Sequence, residues 1–270
     1  MNTNDAVFAG AIPDLYDRFL VPLIFQTYAD DLAERIAAAR PKRLLEIAAG
    51  TGALTRALAA RLPADATIIA TDLNQPMLDR AIAQQADDKR ITFQIADAMA
   101  LPFEDGGFDV VACQFGVMFF PDKVKAYREA LRLLRPGGRY VFNVWDALPA
   151  NVFAETVTMA LGAMFPEDPP LFMARTPHGH FDQARIRADL TAAGFGSIDM
   201  QTVARISHGG SAREVAMTYC QGTPMRAEIE TRRPGGLMEA TDKAAEALER
   251  RFGSGPIEGA IRAIVVEAMP

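Results

Sequence analysis

The sequence predicts an α/β fold, a mostly parallel sheet with helices packed on both of its faces. Three observations carry that prediction. Short apolar strands alternate with amphipathic helices from residue 43 to residue 145, the rhythm of repeated strand–helix–strand units. A glycine-bearing turn, AAGTG at 48–52, follows the first strand without a break and opens the next helix. The later segments show no internal repeat, low-complexity tract or clean linker, so one domain over 1–270 is expected rather than two. Within it we distinguish N-terminal helices (1–41), a core (42–145), a less regular segment (146–195) and C-terminal strands and helices (196–270).

The elements follow in order. Residues 12–39 are helical and broken by Pro22, with Leu15 and Phe19 before it and Tyr28, Leu32 and Ile36 after it at helical spacing. RLLEIA (43–48) is a short buried strand, and Leu54, Leu58 and Leu62 stripe the helix after it. TIIAT (67–71) is the second strand. Asn74 then offers a side-chain N-cap to a helix carrying Met77 and Leu78. ITFQI (91–95) and DVVAC (109–113) are strands joined through ALPFEDGGF. A helix over 122–134 aligns Val124, Tyr127, Leu131 and Leu134, stops at Pro136-Gly137-Gly138, and gives way to the strand RYVFNVW (139–145). Beyond it we read helices at 151–164, 183–193, 211–220 and 238–252, and strands at 197–206 and 260–267.

Composition narrows the function. A net charge of −6 disfavours nucleic acid, whose phosphates need a basic face. Two cysteines, Cys113 and Cys220, make neither a disulfide framework nor a metal site, and the three histidines lack ligand spacing. MNTNDAVFAG has no basic n-region and no apolar h-region. No run of 18 apolar residues occurs, so no membrane span is expected and the simplest compartment is the cytoplasm.

The turn after the first strand is where chemistry is expected, because ligands of such sheets bind beyond the carboxyl ends of the strands. Gly50 and Gly52 allow a sharp turn and close backbone approach, and the next helix presents free N–H groups suited to a carboxylate or a phosphate alike. Counting on from Gly50 gives Gly52 and then Thr55, so the third small residue of a dinucleotide fingerprint is missing. Glu46 stands inside the strand, costly unless hydrogen-bonded by turn N–H groups or a ligand ammonium. Asp72 ends the second strand and can accept both hydroxyls of an adenosine ribose.

Taken together, LLEIAAGTG, IIATDLNQPML, ITFQIADAMALPFEDGGFDVV and LRLLRPGGRYVF resemble the class I S-adenosylmethionine-dependent methyltransferases, over about residues 42–145. Within them the core is similar to the small-molecule and quinone-biosynthesis group. The resemblance implies a Rossmann-like seven-stranded sheet with its last strand antiparallel, supplied by 260–267, and N-terminal helices and a helical insertion as a cap. It implies that Glu46, Ala48, Gly50, Thr51 and Gly52 hold the methionine end of S-adenosylmethionine. Asp72 would take the ribose, Leu73 and Met77 the adenine faces, and Asp97 with Ala98 and Met99 the adenine amino group. Gln114 and Phe115 would flank the methyl. Ala48 replaces a frequent glycine, which alanine tolerates if φ is negative there. Quinone-type members often carry an Arg-Asn pair in the segment read here as CQFGVMFFPD; Met118 and Phe119 stand in its place and point to an apolar floor.

Blander roles stand beside these. Asp72 also suits a helix N-terminus, Asp97 a turn, and Phe115, Phe119 and Phe120 a core. Trp145 is expected to pack at a strand end. Catalytic candidates are Tyr16, on helices that in this family often cover the cofactor, and His178 and His180, although His-x-His in a proline-flanked loop reads first as solvated. The charged residues of 226–251 read as a solvated helical face. The expected partner is a small, neutral or lipophilic acceptor, housed by the N-terminal helices and by Phe153, Met159, Met164, Phe165, Leu171, Phe172 and Met173. Homodimerisation is left open. An NAD-dependent oxidoreductase and a cofactor binder without turnover are the competing readings.

Overall fold

The computed structural model describes residues 5, 8, 10–85 and 87–270, so most of the segment read above for a leader lies outside it. A continuous rod opens the chain: α1 (Ile12–Leu15), a π-helical stretch (Tyr16–Phe25) and α2 (Gln26–Ala38). Then come β1 (Arg43–Ile47), α3 (Ala53–Ala59), β2 (Thr67–Asp72), α4 (Gln75–Gln84), β3 (Ile91–Ile95), β4 (Phe108–Gln114), α5 (Lys123–Leu133) and β5 (Leu134–Trp145). The second half holds α6 (Val152–Met164), α7 (Phe172–Arg175), α8 (Gln183–Ala193), β6 (Ser197–Gly209), α9 (Ala212–Gln221), α10 (Met225–Arg232), α11 (Leu237–Phe252) and β7 (Ile257–Met269).

All seven strands form one sheet in the order β3-β2-β1-β4-β5-β7-β6. Six run parallel, and β7 inserts antiparallel to both β5 and β6. The central strands are apolar because helices cover both faces: Leu44, Leu45, Val110, Val111 and Phe142 are fully buried. The order reverses between β1, which continues to β2, and β4, which continues to β5. Their carboxyl ends therefore diverge into a crevice. Among the described residues no helix is long and apolar enough to cross a membrane.

Three local readings are corrected. Pro22 does not break the first helix. The rod widens to π spacing, with the Gln26 N–H reaching the Val21 carbonyl, and a proline without N–H is carried inside it. Asn74 gives α4 no side-chain cap; its amide turns back to Asp72 instead. Strands β6 and β7 run 13 residues each, longer than read, because they pair with one another along their whole length, Ser197↔Met269 to Gly209↔Ile257.

Candidate cofactor cleft and acceptor pocket

The turn after β1 is shaped by three left-handed residues: Ala48 at φ 54°, Gly50 at 58° and Gly52 at 80°. Ala48 thus departs from the negative φ expected of it, a conformation that costs an L-residue about 1–2 kcal/mol. Its methyl leaves no room opposite, since a Cβ on Gly116 would lie 2.6 Å from it. The carboxylate of Asp72 ties the turn to β2: one oxygen accepts the Gly50 N–H at 2.8 Å, the other the Asn74 N–H at 2.8 Å and its amide at 3.3 Å. The Oδ2 oxygen, with one bond, keeps spare acceptor capacity toward a ligand. Burial raises the Asp72 pKa against these hydrogen bonds.

Glu46 is buried beneath the turn, and Thr55 donates its hydroxyl to it at 2.6 Å. Burial first, with Asp72 nearby, pushes its carboxyl up to about 8, opposed by the Thr55 hydroxyl and by Arg56. Thr55, which breaks the dinucleotide spacing, is thereby the partner of the strand carboxylate. Arg56 donates to the Thr51 carbonyl at 2.6 Å and pairs with Asp17 of the rod at 3.1 Å, so the turn and the N-terminal rod are braced together.

Between the turn, β2, β3 and β4 lies a cleft of about 500 Å³. Ala48, Gly50, Thr51, Asp72, Leu73, Met77, Asp97, Ala98, Met99, Gln114 and Phe115 all line it. Glu46 and Gly52 do not: Glu46 supports the turn from below, and Gly52 sits against α4, where a Cβ would approach Ala81 to 3.1 Å. Leu73 lies 62% exposed on the cleft rim, an apolar side chain available to a ligand ring. Asp97 accepts the Met99 N–H at 2.9 Å. Gln114 donates its amide to the Phe25 carbonyl at 2.9 Å, joining β4 to the rod. Among the described residues the lining includes two carboxylates and no lysine or arginine. Thr51 Oγ1 is buried there without a hydrogen-bond partner.

Phe115, left-handed at φ 50°, is held by its N–H to the Asn143 side chain at 2.9 Å and main-chain carbonyl at 3.2 Å. Its ring stacks on Trp145 at 3.9 Å and 10°. Beside this pair lies a second cavity of about 50 Å³ whose wall includes Trp145, Phe172, Met173, His178 and Tyr219. Phe8, Tyr16, Phe25, Phe115 and Phe119 line both. The N-terminal roof is latched: buried Asp5 accepts Arg175 Nε at 3.0 Å, Arg175 Nη2 at 2.6 Å and the Thr176 hydroxyl at 2.6 Å. Tyr16 stacks on Phe25, and burial with Asp72 nearby pushes its phenol well above its ordinary range.

Of the catalytic candidates, Tyr16 and His178 face these cavities and His180 does not. His180 is half-buried against Tyr127, 3.4 Å from its hydroxyl, so the His-x-His pair splits to opposite sides of its loop. The solvated-loop reading is corrected for His178, which is 5% exposed. Trp145 does pack at the end of β5, and also forms cavity wall. Of the residues assigned to the acceptor side, only Phe172 and Met173 line the second cavity; Phe153 is core beneath Gly259, while Met159 and Leu171 are exposed. Tyr219, Thr223, Pro224 and Ile261 were missed because helix α9 and strand β7 reach the site only in three dimensions.

A methyltransferase-domain family profile matches residues 45–142. The chain is 41% identical over 146 residues to a demethylmenaquinone methyltransferase of Thermus thermophilus, covering 52% of this chain and 64% of that one. It is 31% identical over 180 residues to the ubiquinone/menaquinone biosynthesis C-methyltransferase UbiE of Idiomarina loihiensis, covering 61% of this chain and 70% of the relative. Its fold is similar to the YcgJ protein of Bacillus subtilis, with a TM-score of 0.56 at 21% identity over 90% of this chain and 97% of that one. With the sheet order, the acidic cleft wall and the broken dinucleotide spacing, these likenesses leave the oxidoreductase reading without support. The chain belongs to the class I S-adenosylmethionine-dependent methyltransferases.

Proposed function

We propose that the protein transfers the methyl group of S-adenosylmethionine to N, O or C of a small, neutral or lipophilic acceptor by direct in-line displacement. What supports this most is the wall of the cleft: two carboxylates, an unpartnered Thr51 hydroxyl and, among the described residues, no cation, with Phe115 shared between the cleft and an aromatic cavity. Such a wall suits a sulfonium cation with an amino-acid end. It would repel the pyrophosphate of a dinucleotide. When bound, the cofactor supplies an already activated methyl, so the protein's part is positioning and a dry pocket.

The spare acceptor capacity of Asp72 would hold the ribose, Leu73 and Met77 would enclose the adenine, and Asp97 with the backbone at Ala98 and Met99 would meet its amino group. Gly50 and Thr51 would take the methionine end over Glu46, and Gln114 and Phe115 would flank the methyl. The relatives named above act on demethylmenaquinone or in quinone biosynthesis. Here Phe119 lines the cavities and Met118 is buried where the quinone-type polar pair is expected, which favours a more apolar acceptor.

Calorimetry with S-adenosylmethionine, S-adenosylhomocysteine and NADH tests the cofactor, and S-adenosylhomocysteine release across acceptor libraries tests turnover. Binding of NADH in preference to both sulfur compounds refutes the reading. Tight binding with no release over a broad library favours a binder without turnover.

A further inference from the structure

His178 is a buried polar group of the second cavity, beside the buried Asn151, whose amide lies 3.5 Å from its Nδ1. Its backbone N–H donates to the Met173 carbonyl at 2.9 Å, and its Nδ1 lies 2.8 Å from the Asp146 carbonyl. A carbonyl can only accept, so Nδ1 carries the proton and Nε2 carries the lone pair. Asp146 is itself fixed, its carboxylate bound to Arg262 Nε at 2.6 Å and to the Ala147 N–H at 2.6 Å. Among the described residues neither Nε2 nor the Tyr219 hydroxyl has a hydrogen-bond partner, although both residues line the cavity. Among the described residues no charged side chain shares that wall. At about 10–15 Å³ per water-sized probe, a cavity of about 50 Å³ accommodates about four waters, roughly one six-membered ring.

We propose that the acceptor is a small planar ring bearing an ionisable O–H or N–H, and that His178 Nε2 accepts that proton as the methyl is transferred. This rests on the methyltransferase reading above. The acceptor heteroatom attacks the sulfonium methyl carbon and a carbon–heteroatom bond forms. The carbon–sulfur bond breaks with its electron pair passing to sulfur. The heteroatom's proton moves to Nε2 and leaves to water when the product departs. The site's total charge is unchanged, because the positive charge moves from sulfonium to imidazolium. Nδ1–H, still on the Asp146 carbonyl, helps to hold it.

Burial keeps the His178 ring neutral, its pKa lowered to about 4, so the lone pair is present throughout the working pH range. The groups that bear on it are the Asp146 carboxylate, paired with Arg262, and the phenols of Tyr16 and Tyr219, which burial holds protonated.

The test compares the wild type with His178→Gln and His178→Asn, folding being checked by thermal melting. Enzyme loaded with S-adenosylhomocysteine is titrated with 4-nitrophenol by difference absorbance; phenol, hydroquinone and 4-nitrophenol serve as acceptors with S-adenosylmethionine. We expect the dye to bind the wild type as the neutral phenol, its O–H donated to Nε2 and its phenol band shifted slightly to the red, and to bind at least tenfold more weakly to a folded variant. S-adenosylhomocysteine affinity should stay within threefold. Turnover should fall about 10²–10⁴-fold, with the gap to the wild type narrowing as pH rises and the acceptor ionises unaided. A purely structural role would lower the rate equally at every pH, and that result overturns the proposal. So does wild-type enzyme that binds S-adenosylmethionine yet neither binds the dye nor methylates any of the three phenols. Failure to bind S-adenosylmethionine at all sinks the methyltransferase reading first.

Discussion

Glu46→Gln separates the structural role of the strand carboxylate from any direct contact with ligand. The carboxyl is buried, receives the Thr55 hydroxyl, and is raised from 4.5 to about 8. Between those two values the folded state holds a proton that the unfolded chain has released. Folding stability therefore falls as pH rises through this window, and it is level above about 8, where both states are ionised. At about 1.4 kcal/mol per pH unit the loss has a ceiling of about 5 kcal/mol. Glutamine is neutral throughout, and its Oε1 can still accept from Thr55. The variant should match the wild type near pH 5 and exceed it by several kcal/mol at pH 8. Urea denaturation from pH 5 to 8.5 reads this as a rising difference in midpoint. A flat difference would show that Glu46 is ionised in the fold at neutral pH. A variant less stable than the wild type at pH 8 would show that the carboxylate has a cationic partner.

Asp72→Ala removes the acceptor that also fixes Gly50 and Asn74; losing two charge-assisted hydrogen bonds should cost about 2–4 kcal/mol of S-adenosylmethionine binding, on the order of 30- to 1000-fold by calorimetry. Unchanged affinity would place the ribose elsewhere. Gly116→Ala would bring a Cβ to 2.6 Å from Ala48 and 2.7 Å from Cys113 Sγ, so chemical denaturation should show a loss of about 1–3 kcal/mol. Arg175→Ala leaves the buried Asp5 carboxylate with a weaker set of partners. Hydrogen exchange should quicken over residues 10–20 while the sheet stays protected, and equal protection in both proteins would disprove the latch.

The parallel core was legible because its signals are local: apolar runs in β1 and β4, the glycine turn after β1, and Asp72 at the end of β2 each report on their own neighbourhood. The site's finer parts depend on contacts that spacing does not encode. Thr55 reads as a defect in one motif until its hydroxyl is seen on Glu46. His178 lies among prolines and glycines that suggest a wet loop, yet the Asp146 carbonyl and Trp145 enclose it. Pro22 obeys the helix-breaking rule only for α spacing, and the wider π turn accommodates it. The second cavity draws on Tyr219 and Ile261, more than a hundred residues beyond Phe115, and no periodicity relates them.

Phe8 and Tyr16 roof both cavities, and the same roof is pinned through Asp5 to the loop that carries His178. A cover shared in this way couples traffic at the two sites. On the methyltransferase reading proposed above, cofactor and acceptor would share these two rings as wall. A substitution that loosens the Asp5–Arg175 contact should therefore weaken binding at both cavities together rather than at one alone.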